Sequence, residues 1–340
     1  MAGWVKRIPI HQIENYSNQH GVWVKHISVI KNNNYYVDNN VSIDGDAPKK
    51  FIGVYDYCML NSKHKSNRAN WVKYIAKTGH KWYPAESITE YMLNRLGVVF
   101  GLDMAESRLA MVGGQLRFLS KYFLVPKQEE LVHGADILVG YLNEPAEYIE
   151  YIDAQNLTRN LLTLQFIELA ISNAFLSYKE DIMRGLVRLI IFDALVGNND
   201  RHFFNWGIVR SLDGRNHPVF SPIYDTARGL FWNYSEKKLR DIVEVNKTMT
   251  KHINRYCKNS KPKIGWEGET DINHFKLFAN IYKNEFYFAK DEIADMLRPS
   301  LIDEMIGVIG SDFCMLISSN RYHLICECLK CRFEKMRSFL

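Results

Sequence analysis

The spacing of hydrophobic and polar positions changes along the chain. Between about residues 20 and 80, short aromatic and β-branched runs alternate with polar turns, which is typical of β-strands. The predicted strands are Val22 to Ile30, Tyr35 to Ile43, Phe51 to Leu60 and Asn70 to Lys77, with two more near Arg108 to Val112 and Leu116 to Leu124. The first third of the chain therefore predicts an antiparallel sheet.

A single helix interrupts these strands. Its apolar face has the spacing i, i+3, i+4, i+8 and comprises Ile88, Tyr91, Met92 and Leu96. We expect Pro84 to introduce this helix and Gly97 to end it, because proline favours a first helical turn and glycine a last one.

From Gly134 onward the periodicity is helical. Helices are predicted at Asn156 to Leu176, Tyr178 to Val196 and Asp271 to Tyr282, and along a stretch from about Ile302. Strands followed by helices indicate an α+β fold. The change near Val125 predicts a bilobal chain, with a small β-rich N-terminal lobe of residues 1–125 and a larger helical C-terminal lobe of residues 126–340.

The amino-acid composition is that of a folded globular protein and does not single out a charged partner. With 340 residues, 47% of them hydrophobic and 24% charged, the chain has the composition of a folded protein and is long enough for two lobes. Its net charge of +5 is small and no block of lysine and arginine occurs, so charge gives no nucleic-acid signature.

The sequence also bears on compartment. It contains no apolar run long enough for a signal peptide or a membrane span, and we expect a cytoplasmic protein. The six cysteines are few for this length and suit a reducing compartment with free thiols. The sequence does not indicate whether the protein acts in its own cell or is exported into a host.

The segment with the clearest chemistry follows the apolar stretch Leu186 to Val196. It contains Asp200 and Asn205 in an Asp-x4-Asn spacing, and a further carboxylate, Asp225, follows the Asp213-Gly214 turn. Phosphoryl transfer needs one carboxylate to take a hydroxyl proton and oxygen ligands to hold magnesium against phosphates. A hairpin that returns Asp225 to Asp200 would supply both.

Two motifs carry a resemblance to a known family. Asp200-Arg-His-Phe-Phe-Asn205 and Pro222-Ile-Tyr-Asp225 resemble the HipA-like serine/threonine kinases, which share the fold of protein kinases and phosphoinositide 3-kinases. The resemblance implies that Asp200 is the catalytic base, that His202 organises the catalytic loop, and that Asn205 and Asp225 bind Mg²⁺. ATP and Mg²⁺ are the implied cofactors, with a protein as substrate and autophosphorylation as an accompanying reaction.

The same family has a lysine on a small-lobe strand that binds phosphates and pairs with a helix glutamate. Lys73 and Lys77 share one face of the predicted strand, so periodicity alone does not choose between them. The resemblance favours Lys77, which ends the apolar strand. It favours Glu86 as the partner, with Glu90 one helical turn away in reserve.

The stretch Phe118 to Val125 resembles the hinge of these kinases. Ser120, Lys121 and Tyr122 are expected to contact adenine there. The expected phosphate loop, residues 61–68, contains no glycine, so its cations are expected to substitute for backbone N–H groups; these are Lys63, Lys65 and Arg68.

Several alternatives remain open. Asp-Arg-His-x-x-Asn also resembles phosphoinositide kinases, which favours a lipid kinase, and the missing glycines favour a pseudokinase or binding protein. The Asp-x4-Asn motif alone also fits a capping turn. His323, Cys326, Cys328 and Cys331 could ligate zinc, but they fall on one predicted helix, where packing is the commoner use. A toxin role with an antitoxin partner, or an effector role on a host protein, is not identified.

Overall fold

The computed structural model describes residues 27–41, 49–56, 64–79, 85–244 and 246–340. Its first sheet contains β1 (Ser28–Ile30), β2 (Tyr35–Val37), β3 (Lys49–Val54), β4 (Val72–Lys77), β5 (Ser107–Val112) and β6 (Gln115–Lys121). The strand order is β1-β5-β6-β4-β3-β2. The prediction of an antiparallel sheet is wrong at one edge of the sheet, where β1 pairs with β5 in parallel. The other pairs are antiparallel.

The two faces of this sheet are both covered. Alternate residues of its strands, among them Ile52, Tyr74 and Leu119, form a small apolar cluster on one face. On the other face Leu109 and Phe118 join the main core, together with the helix α1 (Glu86–Phe100). Because successive side chains of a strand point to opposite faces, Lys77 lies on the face that α1 covers.

Helix α1 begins at Glu86 and is longer than predicted. It runs through Gly97 and ends at Gly101, whose φ of 88° is the left-handed conformation that glycine adopts readily. The expectation that Gly97 ends the helix is therefore wrong. A Cβ at Gly97 would overlap the side chain of Met104, so this glycine allows close packing instead. Pro84 lies outside the described residues.

The second part of the chain has one small sheet, β7 (Glu129–His133), β8 (Gly207–Ser211) and β9 (Val219–Phe220), in the order β7-β8-β9. Its first helices are α2 (Gly134–Leu142), α3 (Tyr148–Ala154), α4 (Thr158–Leu161), α5 (Leu164–Phe175) and α6 (Lys179–Val196). They are followed by α7 (Glu236–Val243), α8 (Asn246–Asn259), α9 (His274–Lys283), α10 (Lys290–Met296), α11 (Leu301–Val308) and α12 (Ser319–Arg337).

Two predicted helices are divided. The first breaks at Thr163, whose hydroxyl accepts a hydrogen bond from the N–H of Phe166 at 3.2 Å and so caps a new helix. The second, from about Ile302, breaks after a π-helical turn, Ile309–Phe313, before α12 begins. Thr163 thus caps the helix after the first break. After the second break Ser318 caps α12, since its hydroxyl accepts a hydrogen bond from the N–H of Arg321 at 3.1 Å.

Helix α6 is the central element of the larger part. Its residues from Leu189 to Val196 are all buried, and it packs against α5, α9 and α12. Gly197, with a φ of 68°, ends the helix in the left-handed conformation and turns the chain into the segment Asn198 to Asn205. The predicted catalytic segment thus begins directly at the end of a rigid, buried helix.

Within the described ranges, no helix combines the length and apolar character needed to cross a membrane. Five cysteines are described, and all are free thiols. Cys326, Cys328 and Cys331 lie on α12, as predicted, while Cys58 falls outside the described residues. The described part of the chain holds no group of three or more His, Cys, Asp or Glu side chains suited to a metal ion.

Candidate active site

A buried arginine holds the catalytic segment. The Nε and Nη2 of Arg201 donate to the two carboxylate oxygens of Asp193, on α6, at 2.9 and 3.1 Å. Its Nη1 donates to the carbonyl oxygens of Asn205 and Tyr224, both at 3.0 Å, and its Nη2 to the hydroxyl of Thr226 at 2.8 Å. One side chain therefore ties helix α6, the Asp200 loop and the Asp225 segment together.

The loop itself is a tight turn. The amide nitrogen of the Asn205 side chain donates to the carbonyl oxygen of Asp200 at 2.9 Å, and the backbone N–H of Asn205 donates to the carbonyl of His202 at 2.9 Å. The N–H of Asp200 is held by the side chain of Asn198 at 3.2 Å. The residues predicted as base and metal ligand are thus coupled through one short stretch of backbone.

Asp200 is a half-buried carboxylate with a cationic neighbour. Burial raises its pKa, and Arg228 opposes that shift, with its Nη1 at 3.2 Å from the Oδ2 of Asp200. Burial lowers the pKa of His202, which favours the neutral imidazole, and its Nδ1 accepts a hydrogen bond from the N–H of Phe204 at 3.3 Å. His202 therefore contacts the backbone of the loop in which it lies.

Asp225 lies between two lysines of the first sheet. Its Oδ1 is 3.0 Å from the Nζ of Lys77, and its Oδ2 is 3.4 Å from the Nζ of Lys49. The two lysines face each other across β3 and β4. Burial would raise the pKa of Asp225, but both lysines lower it by more, and the pKa falls below its ordinary value. Asp225 is ionised at neutral pH.

The backbone of Asp225 has a positive φ of 51°. Aspartate tolerates this left-handed conformation better than most residues, at a cost on the order of 1 kcal/mol. On the preceding side, the N–H of Ala105 donates to the carbonyl of Ile223 at 2.9 Å, and Ile223 returns a hydrogen bond to the carbonyl of Asp103 at 2.7 Å. The Asp225 segment is thus attached to both parts of the chain.

Known proteins resemble this chain in sequence and in fold. The model of the HipA-like C-terminal domain matches residues 41–299, which is more than half of the chain. The chain belongs to this HipA-like family. The resemblance inferred from its two aspartate motifs is thereby confirmed.

Solved structures show the fold. The crystal structure of the Helicobacter pylori proinflammatory kinase CtkA matches with a TM-score of 0.65 and 16% identity, over 89% of this chain and 93% of that one. HipA of Shewanella oneidensis MR-1, solved with HipB and operator DNA, matches with a TM-score of 0.47 and 13% identity, over 78% of this chain and 58% of that one. The predicted α+β kinase-like fold is confirmed.

A curated relative covers less of the chain. A protein of Haemophilus influenzae with the description "Putative kinase" is 24% identical over 196 residues. The match covers 54% of this HipA-like chain and 52% of the relative. The chain therefore spans about half the length of the curated relative it matches.

Within this HipA-like chain, the structure corrects the predicted lysine partner. The Nζ of Lys77 is 2.7 Å from the Oε1 of Glu90, whereas Glu86 approaches Arg228 at 4.0 Å. Glu86 as the partner of Lys77 is therefore wrong, because α1 presents the next helical turn to the strand. Burial raises the pKa of Glu90 to about 7 against the opposing attraction of Lys77. For Lys77, attraction to Asp225 and Glu90 outweighs burial, and its pKa is raised.

The other predicted cations lie elsewhere. Lys73, on the same strand face as Lys77, hydrogen-bonds the hydroxyl of Tyr36 instead. Lys65 donates to the side chain of Asn34 at 2.5 Å, and the guanidinium of Arg68 lies over the ring of Tyr36, 5.3 Å from its centroid. The structure therefore does not bring Lys65 or Arg68 to Asp225, and Lys63 falls outside the described residues.

The predicted hinge begins within β6, the strand that pairs with the Lys77 strand, and continues past its end at Lys121. Ser120 is buried and lines a small cavity beside Asp225, with Phe118 and Tyr224. Lys121 extends outward to an ion pair with Glu106 at 2.5 Å. The N–H of Tyr122 donates to the carbonyl of Lys73 at 2.9 Å. Ser120 therefore borders this cavity, whereas the backbone N–H groups of Lys121 and Tyr122 are already bonded to the carbonyls of Glu106 and Lys73.

Four residues of the site were not predicted from the sequence. Asp193 and Arg201 carried a signal, because a lone aspartate in an apolar helix needs a buried cationic partner. Lys49 carried none, since its position opposite Lys77 depends on strand register. Arg228 likewise reaches Asp200 only through the folded path of the segment after Asp225.

Proposed function

We propose that this chain is an ATP- and Mg²⁺-dependent protein kinase that transfers the γ-phosphate to a serine or threonine hydroxyl. The observation that carries the proposal is the 3.0 Å contact between Lys77 and Asp225, on a segment that Arg201 ties to the Asp200 loop. A phosphate-binding cation, a metal-binding carboxylate and a proton-accepting carboxylate would then lie around one site.

The proton acceptor in this proposal is Asp200. A pKa raised by burial makes this carboxylate a stronger base than an exposed aspartate, while the adjacent Arg228 favours its ionised form. His202, held neutral by burial, supports the loop through its contact with the backbone of Phe204. These residues would orient and deprotonate the acceptor hydroxyl.

The oxygen atoms of Asn205 and Asp225 fit a magnesium ion. Mg²⁺ prefers hard oxygen ligands and usually takes one or two from the protein, the rest coming from phosphates and water. Bound there, the ion would neutralise charge on the β- and γ-phosphates. Lys77, fixed by Glu90, and Lys49 carry positive charge at the same place, and we propose that both turn from Asp225 toward the nucleotide phosphates.

The adenine would lie at the end of β6, beside Ser120, Lys121 and Tyr122. The cavity lined by Phe118, Ser120 and Asp225 adjoins that position, and its volume of about 10 Å³ has room for a water molecule but not for the base. It lies where the proposed lobes, residues 1–125 and 126–340, meet at the contacts between Ala105 and Ile223.

Two substitutions test the proposal. Asp200→Asn should lower phosphate transfer by roughly 10²- to 10⁴-fold, the usual contribution of a general base, and retain ATP binding. Asp225→Asn should weaken both transfer and the Mg²⁺-dependent part of ATP binding. Transfer of radiolabelled phosphate to the chain itself, to protein acceptors and to phosphoinositide vesicles gives the first readout, and thermal shift with Mg-ATP gives the second.

Asp213→Asn, in an exposed turn, is the matched control and should behave as the parent chain. If phosphoinositides alone were labelled, the chain would be a lipid kinase and not a protein kinase. If the parent chain showed neither labelling nor a thermal shift with Mg-ATP, it would be a nonenzymatic binding protein.

A further inference from the structure

Positive charge is concentrated in one segment of the chain. From Val245 to Trp266 the sequence contains six lysines and arginines and no aspartate or glutamate, while the whole chain has a net charge of only +5. Most of this segment is helix α8. The chain is therefore not evenly basic, and one surface carries an excess of cations.

The cations share a face. Lys251, Arg255 and Lys258 are spaced i, i+4 and i+7 on α8, so they lie along one side of the helix, and all three are exposed. Helix α7 packs against α8 and adds the exposed Lys238. We call Lys238, Lys251, Arg255 and Lys258 the basic ridge.

The ridge residues repel one another. Partial burial and then Arg255 lower the pKa of Lys238. Burial, followed by Lys238, Arg255 and Lys251, lowers the pKa of the adjacent His252. Among the ion pairs of the described residues none contains a ridge residue, and Glu236 on α7 is paired with Arg321. An anionic ligand would relieve this repulsion.

The ridge leads to the catalytic loop. Just after α8, the hydroxyl of Ser260 and the N–H of Lys261 donate to the Oδ1 of Asn199 at 2.8 and 3.1 Å. Asn199 directly precedes Asp200. Burial raises the pKa of Asp200, and Lys263 is among the cations that lower it. The C-terminal end of the helix therefore lies beside the proposed base.

The distance suits a peptide. At about 1.5 Å per helical residue, Lys251 lies roughly 14 Å along the helix axis from Ser260. An extended peptide covers that distance in about four residues. A substrate segment whose hydroxyl reaches Asp200 would thus place side chains about four positions away against Lys251 and side chains about two positions away against Arg255.

We propose that the basic ridge binds an acidic segment of the protein substrate and so selects acceptor hydroxyls with aspartate or glutamate about two to four positions away. This rests on the proposed function. A nucleic-acid duplex fits less well, because the exposed Asp241 on α7 and Glu244 just after it follow Lys238 closely in the chain and would repel a continuous phosphate backbone. An acidic peptide can contact the cations and leave those acids to solvent.

Direct binding without nucleotide tests the ridge separately from catalysis. The probes are a short fluorescein-labelled peptide with one central serine flanked by glutamates, and the same peptide with glutamines. Lys251→Glu/Arg255→Glu should weaken binding of the glutamate peptide on the order of tenfold at low salt, because two attractions become repulsions. Lys251→Gln/Arg255→Gln should give an intermediate loss.

Lys283→Glu/Lys290→Glu makes the same change of charge at two other exposed lysines and should leave binding unchanged. Thermal denaturation checks that each variant is folded. Equal affinity for the two peptides, unchanged affinity in the ridge variants, or preferential binding of a short DNA duplex would overturn the proposal. Glutamate-dependent binding without any phosphate transfer would instead leave the ridge as an acidic-peptide site and refute only the kinase.

Discussion

Two cations at the candidate site are held in different ways. Arg201 is enclosed, with five hydrogen bonds to four residues that all belong to the helical part of the chain. Lys77 is held by two carboxylates from different parts, Glu90 on α1 and Asp225 beyond the catalytic loop. The first cation is part of a rigid support, whereas the second links two parts of the molecule.

The difference indicates a division of tasks. A guanidinium with fixed geometry suits the permanent positioning of a loop, while an ammonium group on a flexible stem suits a contact that is exchanged. We therefore expect substitutions at Arg201 to affect folding and those at Lys77 to affect nucleotide chemistry.

The largest effect should follow from Arg201→Met. Removal of one member of a fully buried ion pair leaves Asp193 as an uncompensated charge, which typically costs about 3–5 kcal/mol of stability. Chemical denaturation of the parent and the variant measures this loss. A double variant, Asp193→Leu/Arg201→Met, should recover part of it, because no unpaired charge is left.

The matched control is Arg210→Met, which breaks an exposed ion pair with Glu130 and should cost less than about 1 kcal/mol. Equal stability of the Arg201 and Arg210 variants would show that the buried cluster does not support the fold.

Next in size is the effect of Lys77→Met. Loss of one preorganised cation at the phosphates should lower transfer by roughly 10²- to 10³-fold, measured at a temperature where the variant is folded, because removal of the buried Lys77 also leaves Glu90 without its cation and costs stability. Lys73→Met, two pleat repeats away on the same strand and engaged with Tyr36, should retain most activity. Rates of γ-phosphate transfer at saturating ATP give the comparison, and similar losses in both variants would remove the special role of Lys77.

The sequence predicted the two parts of the site unequally. Asp200, Asn205 and Asp225 were predicted as site residues because they belong to short motifs whose spacing matches that expected for phosphoryl transfer. Their catalytic roles stay predictions. The sequence pattern did not predict which residues from other parts of the chain would pair with the site residues. Glu86 and Glu90 are one turn apart on the same helix, and only the packing angle of α1 on the sheet decides which carboxylate reaches Lys77.

The fold was predictable to a similar extent. The shift from period two to helical periodicity indicated the α+β class, which depends on local pattern. The parallel β1–β5 pair and the register that places Lys49 beside Lys77 depend on contacts between distant segments. Helix breaks at Thr163 and after Val308 depend on capping and backbone geometry, which hydrophobic spacing does not record.

A smaller effect should separate the two helix glutamates. Glu90→Gln removes a buried, charge-assisted contact to Lys77 and should lower transfer on the order of tenfold or more. Glu86→Gln weakens a 4.0 Å approach to the partly exposed Arg228, leaves the contact between Lys77 and Glu90 in place, and should change the rate by less than about fivefold. A larger loss from Glu86→Gln would restore Glu86 as the functional partner of Lys77.

The smallest change should appear in the pH dependence. Asp200 accepts a proton only when ionised, so transfer is lost as the pH falls through the folded-state pKa, which burial has raised above its ordinary value. Arg228 lowers that pKa, so Arg228→Gln should move the acidic limb of the pH–rate profile to higher pH, whereas Arg228→Lys should keep it close to the parent. A limb that stays in place in Arg228→Gln would mean that a group other than Asp200 controls it. The link from Arg228 to both Asp200 and Glu86 would then serve to hold α1 against the catalytic loop rather than to tune the base.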